Sequence, residues 1–277
     1  MSRQEALNSF SQDLYVSHNQ IFTYLNCSLK YKFHYVEKRK PERISITLPF
    51  GKAIHSAEEL FYRSMKNGRN KEPLNALLEK FDEVLCKGLD KNAGIPIIWK
   101  KTTPDKAGAI EMGKSMLSAF YETIDLSGYA VVDVELPLTA RLYTDDGMPT
   151  EFMLVGIIDL LLMDEHSEAV VVDNKTAAQP MSHSSADENL QMSAYAYLLA
   201  SNKYVFPTSP VKCRFDVLRK LKTPKLEIVQ TVRTAHDRKR FARIATAVLD
   251  GIDKNVYLPQ PNWMCSDCSY SDACKAW

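Results

Sequence analysis

The most constraining feature is an almost wholly apolar run from Met153 to Met163, interrupted by a single charge, Asp159. With its flanks it reads as a strand, Glu151 to Asp164, in which a carboxylate is costly to bury unless something positive compensates it. The turn Glu165-His166-Ser167-Glu168 follows, and then a second apolar strand, Ala169 to Lys175. If that turn centres on His166, Asp159 lies directly opposite Asp173, with Cβ atoms about 4.5–5.5 Å apart. Lys175 lies two residues beyond Asp173 and so projects from the same face. Two carboxylates in an apolar setting repel each other unless a cation lies between them. Oxygen ligands of this kind suit Mg²⁺ or Mn²⁺, with Lys175 placed to orient or deprotonate a water. The plain alternative is a pair of edge carboxylates with Lys175 as their counter-ion.

Around this hairpin the periodicity changes twice. A helix is expected over about residues 10–40, where aromatics alternate with lysines, closed by Pro41. A second runs from Pro49 to Met65 and ends at Asn67-Gly68. More helices fill 72–124, broken at Gly94-Ile95-Pro96 and at Pro104. Ala130 to Tyr143 then reads as a strand joined to the apolar one by Asp145-Asp146-Gly147. A polar loop (Pro180 to Asp187) leads to a helix from about Glu188 to Ser201. Two strands follow, Lys212 to Leu221 and Leu226 to Thr234, and then a basic amphipathic helix, Asp237 to Leu249. The reading is one α/β domain over 1–277, with a helical insertion at about 60–128 and an irregular tail, 259–277.

Two helical pairs are further site candidates. His55 and Glu59 share a face with Gly51, and Gln191 and Tyr195 are also four apart. Their plain alternatives are a solvated or capped histidine and a polar edge beside an apolar stripe. The tail carries Cys265-x2-Cys268-x5-Cys274, a metal-ligand spacing that lacks a fourth ligand. Cys86 and Cys213 sit where small buried hydrophobes are expected. Cys27 has no such reason for burial, and its use would close a loop of some 238 residues and staple the chain ends. Zinc and an iron–sulfur cluster both remain open on spacing alone.

Composition excludes collagen-like, mucin-like and disordered classes, with 10 Gly, 13 Pro and 45% hydrophobic residues. No run is long enough to span a membrane and no secretory signal opens the chain, so a cytosolic location is expected. Disulfides are then the less expected use of the six cysteines. The formal charge of +1 hides a strong segregation. Residues 28–43 carry net +4 and 212–243 net +8, while 122–168, which contains Asp159, carries net −10. Such basic segments, with aromatics beside Lys30 and Lys32, suit phosphate tracking and base stacking; solvated faces are the plainer reading.

The ordered set of motifs resembles the RecB-like branch of the PD-(D/E)XK nuclease superfamily, including AddB-type nuclease domains and CRISPR-associated RecB-like exonucleases. The resemblance rests on Tyr24-x2-Cys27-Ser28-Leu29-Lys30-Tyr31, Gly51-x3-His55-x3-Glu59, Gly156-Ile157-Ile158-Asp159, Val172-Asp173-Asn174-Lys175-Thr176, Gln191-x3-Tyr195 and the three-cysteine tail. It departs from the usual pattern at Ser28, where Pro is common, and at Asn174, where an aromatic is common. It implies a restriction-endonuclease-like mixed central sheet flanked by helices. It further implies that His55, Asp159 and Asp173, with the main-chain carbonyl of Asn174, bind Mg²⁺ or Mn²⁺. Lys175 would position the attacking water, and Gln191 and Tyr195 would contact DNA or order the catalytic groups. Cys27, Cys265, Cys268 and Cys274 would ligate a [4Fe-4S] cluster. The implied activity is a metal-dependent DNA exonuclease acting on single-stranded ends. Its setting would be recombination, repair or CRISPR-type processing, with recombination, helicase or CRISPR adaptation proteins as partners. Two competing readings are a non-catalytic iron–sulfur DNA-binding module that positions another enzyme, and a structural zinc protein.

Overall fold

The computed structural model describes residues 15–66, 68, 71–144 and 146–277. The start of the helix expected over 10–40, together with Asn67 and Asp145 of two expected turns, lies outside the described residues. What is described of that first helix is broken into pieces. Strand β1 (Tyr15–Ser17) leads into α1 (His18–Asn26), and then the chain extends at Cys27 before α2 (Ser28–Tyr31) and a π-helical turn, Lys32–Val36. Cys27 has φ −165° and ψ 101°, so it ends one helix and starts the next. Its Sγ accepts the Lys30 N–H at 3.5 Å, in place of the oxygen cap usual there. The break turns the thiol away from a continuous helix face.

A short parallel pair, β2 (Ile44–Ser45) and β3 (Ile97–Ile98), brackets two helices, α3 (Thr47–Lys66) and α4 (Leu74–Lys91). Helix α5 (Lys106–Thr123) follows, capped by Asp105, whose side chain accepts the Gly108 N–H at 2.7 Å. The interruption expected at Gly94-Ile95-Pro96 and Pro104 is thus the β3 segment between α4 and α5.

The central sheet is a meander followed by a crossover. Strands β4 (Tyr129–Tyr143), β5 (Pro149–Asp164) and β6 (Ala169–Ala177) pair antiparallel. Then come α6 (His183–Asp187), inside the segment expected to be loop, and α7 (Leu190–Ser201). They return the chain so that β7 (Val211–Arg219) runs parallel to β6, and β8 (Lys225–Arg233) closes antiparallel on β7. A helical crossover is what a parallel neighbour requires. One edge of β5 is covered by β4; the other is shared by β6 at its end and, at its start, by β1 running parallel to Met153–Val155. Helix α8 (Ala235–Asp253) and a tail ending in α9 (Ser271–Lys275) complete the order.

Two apolar layers cover the sheet. On one face α1, α7 and α8 pack through Ile21, Leu198 and Phe241 against β4–β8; on the other α3, α4 and α5 pack through Phe61, Phe81 and Phe120 against β4–β7. The two long strands change phase between these layers. Leu136, Leu138 and Leu154, Ile158 face the first layer, but Val134 and Leu160, Leu162 face the second. All carry even numbers, so strict alternation would put each strand's residues on one side. The switch falls at Glu135 and Asp159, which lie between the pairs Val134–Leu160 and Leu136–Ile158. Glu135 adopts φ +52°, the left-handed region that non-glycine residues avoid.

Candidate active site

The phase switch is where the carboxylates gather. Asp159 is almost fully buried, and its Oδ2 lies 3.5 Å from Nδ1 of His55 on α3. Glu135 completes a set in which one ligand atom from each of His55, Glu135 and Asp159 lies within 4.8 Å of the others. Among the described residues this is the one His/Cys/Asp/Glu group so compact. The left-handed backbone of Glu135 costs on the order of 1–3 kcal/mol, and the surrounding ladder holds it.

The hairpin register is the one expected from the sequence. Leu160 faces Val172 and Met163 faces Ala169, so Asp159 and Asp173 are the next step along. Asp159 does not simply continue the ladder, because its Oδ2 accepts the Asn174 N–H at 3.0 Å. Asp173 is completely buried and belongs to a second group. Lys175 Nζ lies 2.6 Å from Asp173 Oδ2 and donates to Gln191 Oε1 at 2.8 Å. Gln191 Nε2 donates to Asp173 Oδ1 and to Tyr195 Oη, both at 2.8 Å, and Tyr195 donates to the Ile157 carbonyl at 2.8 Å. Both amide hydrogens and the amide oxygen of Gln191 are therefore committed, which fixes its orientation. Gly156 allows α7 to come this close, since a Cβ there would lie 2.6 Å from Leu198 and 3.6 Å from the Tyr195 ring.

The electrostatics agree with a cation-binding centre. Burial raises the Asp173 carboxyl to about 7; Lys175 opposes this while Asp159 adds to it. Burial lowers the affinity of Lys175 for its proton, but Asp173 and Asp159 outweigh it, so the ammonium is held above its ordinary range. Glu58, on α3 behind the site, is fully buried, and burial with Asp159, Asp216 and Asp173 nearby pushes it well above the carboxylate range. Asp216 on β7 is neutralised locally by Arg214, at 2.5 and 2.7 Å. An imidazole and several carboxylates, with one ammonium among them, form a donor set that fits a hard divalent cation.

Sequence reasoning missed two acids here. Glu58, not Glu59, is the acid of α3 buried near the site carboxylates, whereas Glu59 pairs with Arg63 at 2.7 Å on the surface. Its position in the apolar stripe Ile54, Ala57, Phe61 was a readable signal. Glu135 carried no comparable signal, since its direction depends on one unusual φ. The Asn174 side chain is buried, and its Oδ1 has no hydrogen-bond partner among the described residues.

The cysteines sort as their surroundings demand. Cys27, Cys265, Cys268 and Cys274 line one cavity of about 380 Å³, beside a small apolar cluster of Leu29, Phe33 and Tyr270. Cys213 is buried in the sheet with its thiol raised to about 12 by burial, and Cys86 lies on α4 away from the cavity. Cys274 is raised by burial and then by Cys27, Cys268 and Cys265. The Asn262 N–H donates to Cys265 Sγ at 3.4 Å.

No curated protein matches the chain. Among solved structures, a protein of Eubacterium rectale described as a candidate exonuclease has a TM-score of 0.57 at 12% identity, with 100% of this chain and 92% of that one covered. This likeness shows a shared fold. SSO0001 (14% identity, TM-score 0.32, covering 92% of this chain and 97% of that one) and Rai1 of Scheffersomyces stipitis (7%, 0.24, 91% and 73%) are too dissimilar to carry an argument. The family model of the PD-(D/E)XK nucleases, by contrast, matches from residue 15 to residue 275 and so takes in the carboxylates, Lys175 and the tail cysteines together. The chain belongs to the PD-(D/E)XK nuclease superfamily.

Proposed function

We propose that this nuclease is a Mg²⁺- or Mn²⁺-dependent DNA exonuclease of the RecB-like branch, acting on single-stranded ends. The carrying observation is the compact set of His55, Glu135 and Asp159 beside the Lys175–Asp173–Gln191 network. In this reading His55, Asp159, Asp173 and the Asn174 carbonyl hold the metal, with Glu135 as an added ligand. When bound, the ion supplies Lewis acidity at the scissile phosphate and lowers the pKa of a water. Lys175, clamped by Asp173 and Gln191, orients the attacking water and offsets charge on the phosphate. Tyr195 and Gln191 keep that ammonium in place.

In the same reading the four cavity-lining cysteines ligate a [4Fe-4S] cluster that staples Cys27 to the tail. A tetrahedral zinc would need thiolate sulfurs about 3.8 Å apart. The four cysteines line one cavity, which supports a shared metal group, and zinc stays the alternative to the cluster. N–H groups aimed at Cys27 and Cys265 suit thiolate acceptors. The whole chain acts as one domain. No helix among the described residues is long and apolar enough to cross a membrane. A reducing, cytosolic setting in recombination, repair or CRISPR-type processing accords with the thiols.

The test is cleavage of end-labelled single- and double-stranded DNA with Mg²⁺, Mn²⁺ or a chelator, beside Asp173→Ala and Lys175→Ala, and iron analysis of anaerobically purified protein. Metal-dependent shortening lost in both variants is expected. Equal activity in wild type and both variants would remove this hairpin as the active site.

A further inference from the structure

The nuclease reading leaves one groove unused. It lies between α1 and the start of α7, encloses about 510 Å³, and has Lys175 and Gln191 among its walls. It therefore opens onto the same ammonium and amide that hold Asp173. Helix α1 presents two contrasting faces. Ile21 is fully buried in the core, and Tyr24 donates to the Val256 carbonyl at 2.7 Å. His18, Phe22 and Leu25 line the groove at helical spacing. Phe22 and Leu25 are 45% and 41% exposed, and the Phe22 ring lies 5.8 Å from that of His18.

The chemistry of the walls restricts the occupant. Among the described residues Lys175 is the only lysine or arginine lining the groove, and Glu188 adds a carboxylate to its wall, so a phosphate is favoured at the Lys175 end alone. The remaining wall is apolar or neutral. His18 Nδ1 is buried with no hydrogen-bond partner among the described residues. Burial, and then Lys175, lowers the His18 pKa to about 4, so the ring is neutral at pH 7 and offers no charge to a phosphate. The volume suits one nucleotide-sized ligand. A flat aromatic beside a neutral hydrogen-bonding edge suits a nucleobase, and only an unpaired base leaves its face free to stack.

We propose that this groove is the subsite for the unpaired base next to the phosphate being cut, with Phe22 as its stacking platform and Leu25 supporting its edge. The assignment rests on the nuclease reading for its substrate, and its test separates the two. Oligonucleotides carrying 2-aminopurine at successive positions from the end are bound to wild type, Phe22→Ala, Phe22→Trp and Leu25→Ala in EDTA, and the same DNA is then digested with Mn²⁺. Both Phe22 and Leu25 are partly exposed, so their replacement leaves the core intact. Phe22 also borders the cysteine cavity and Leu25 does not, so iron content is measured in every variant, and Leu25→Ala separates loss of the subsite from a disturbed cavity.

Fluorescence quenching at one position is expected in wild type and Phe22→Trp, with about tenfold weaker binding in Phe22→Ala. KM is expected to rise in step while kcat changes little, and Leu25→Ala should show a smaller loss. Quenching that is equal in wild type and Phe22→Ala at every position overturns the subsite, and continued cleavage in that case leaves the nuclease reading standing. Phe22-dependent quenching without cleavage supports the subsite and sinks the nuclease reading. Absence of both signals overturns both.

Discussion

The two ends of this molecule's chemistry are built on opposite principles. The carboxylate site stands on the long strands of a covered sheet, and most of its side chains are held by named hydrogen bonds. The cysteine cavity stands on a helix break and an irregular tail, beside a core of only three buried residues. The tail is tied to the rest mainly by polar contacts: Glu42 accepts the Asp272 and Ala273 N–H groups, Arg43 meets Asp272 at 2.8 Å, Lys100 pairs with Asp267, Tyr270 meets His34 at 2.7 Å, and Ser28 bonds Leu258. The sheet site is therefore expected to exist before any ion arrives, whereas the tail depends on what its thiols hold. In the proposed function, preorganisation serves chemistry in one place and ligation serves folding in the other.

That contrast can be broken by substitution. The largest effect is expected for Lys175→Ala, a loss of about 10³-fold or more in turnover with little change in melting temperature, read by DNA digestion and calorimetry. Persistence of activity would mean that the sheet network does not serve the reaction. Cys274→Ala should do the reverse to the molecule's balance. It should lose iron and about 3 kcal/mol or more of stability and expose the tail to proteolysis, while the α3–β5 residues keep their hydrogen-exchange protection. Uniform loss of protection would erase the distinction between the two regions.

Smaller effects sharpen the picture within the sheet. Gly156→Ala forces a Cβ to within 2.6 Å of Cδ1 of Leu198, so this fully buried side chain must repack and press on α7. A cost of about 1–3 kcal/mol is expected, together with a fall in kcat as Gln191 leaves Asp173. A stability loss with unchanged kcat would show that α7 does not set the position of Lys175. The smallest effect concerns protons. Glu58 and Asp173 bind protons more tightly folded than unfolded, so the metal-free protein loses stability as pH rises from about 4, and for Asp173 the loss is complete only above its folded value of about 7. Glu58→Gln removes one of these contributions and should flatten that slope, measured by chemical denaturation across pH 4–8. Metal binding at pH 6 should release protons, measured by titration in two buffers of different ionisation enthalpy. An unchanged slope would mean that Glu58 is already ionised in the fold.

Much of this was readable from the chain. The hairpin register followed from one turn, because side-chain alternation is strict between Leu160 and Met163. Cys27 was separable from Cys86 and Cys213 because only it lacked apolar neighbours to bury against. The break at Cys27 was not readable, since the helical pattern of aromatics continues through it and the interruption is set by Leu258 and the tail packing on Ser28. Strand β1 was equally silent: three residues are too few for a period. Glu135 escaped because its direction comes from a backbone angle, while Glu58 could have been found in the apolar stripe of α3.

The phase switch in β4 and β5 also bears on which changes of length this fold tolerates. Residues added at the exposed connection around 146–148 leave the pairing of Glu135 with Asp159 untouched. A residue added between Glu135 and Leu142, or between Leu154 and Asp159, shifts one strand by a residue but not the other. The carboxylates would then face away from each other across the sheet. Insertions in this hairpin are therefore confined to its tip, and each paired arm, from the tip back to its acid, acts as a fixed ruler for the carboxylates.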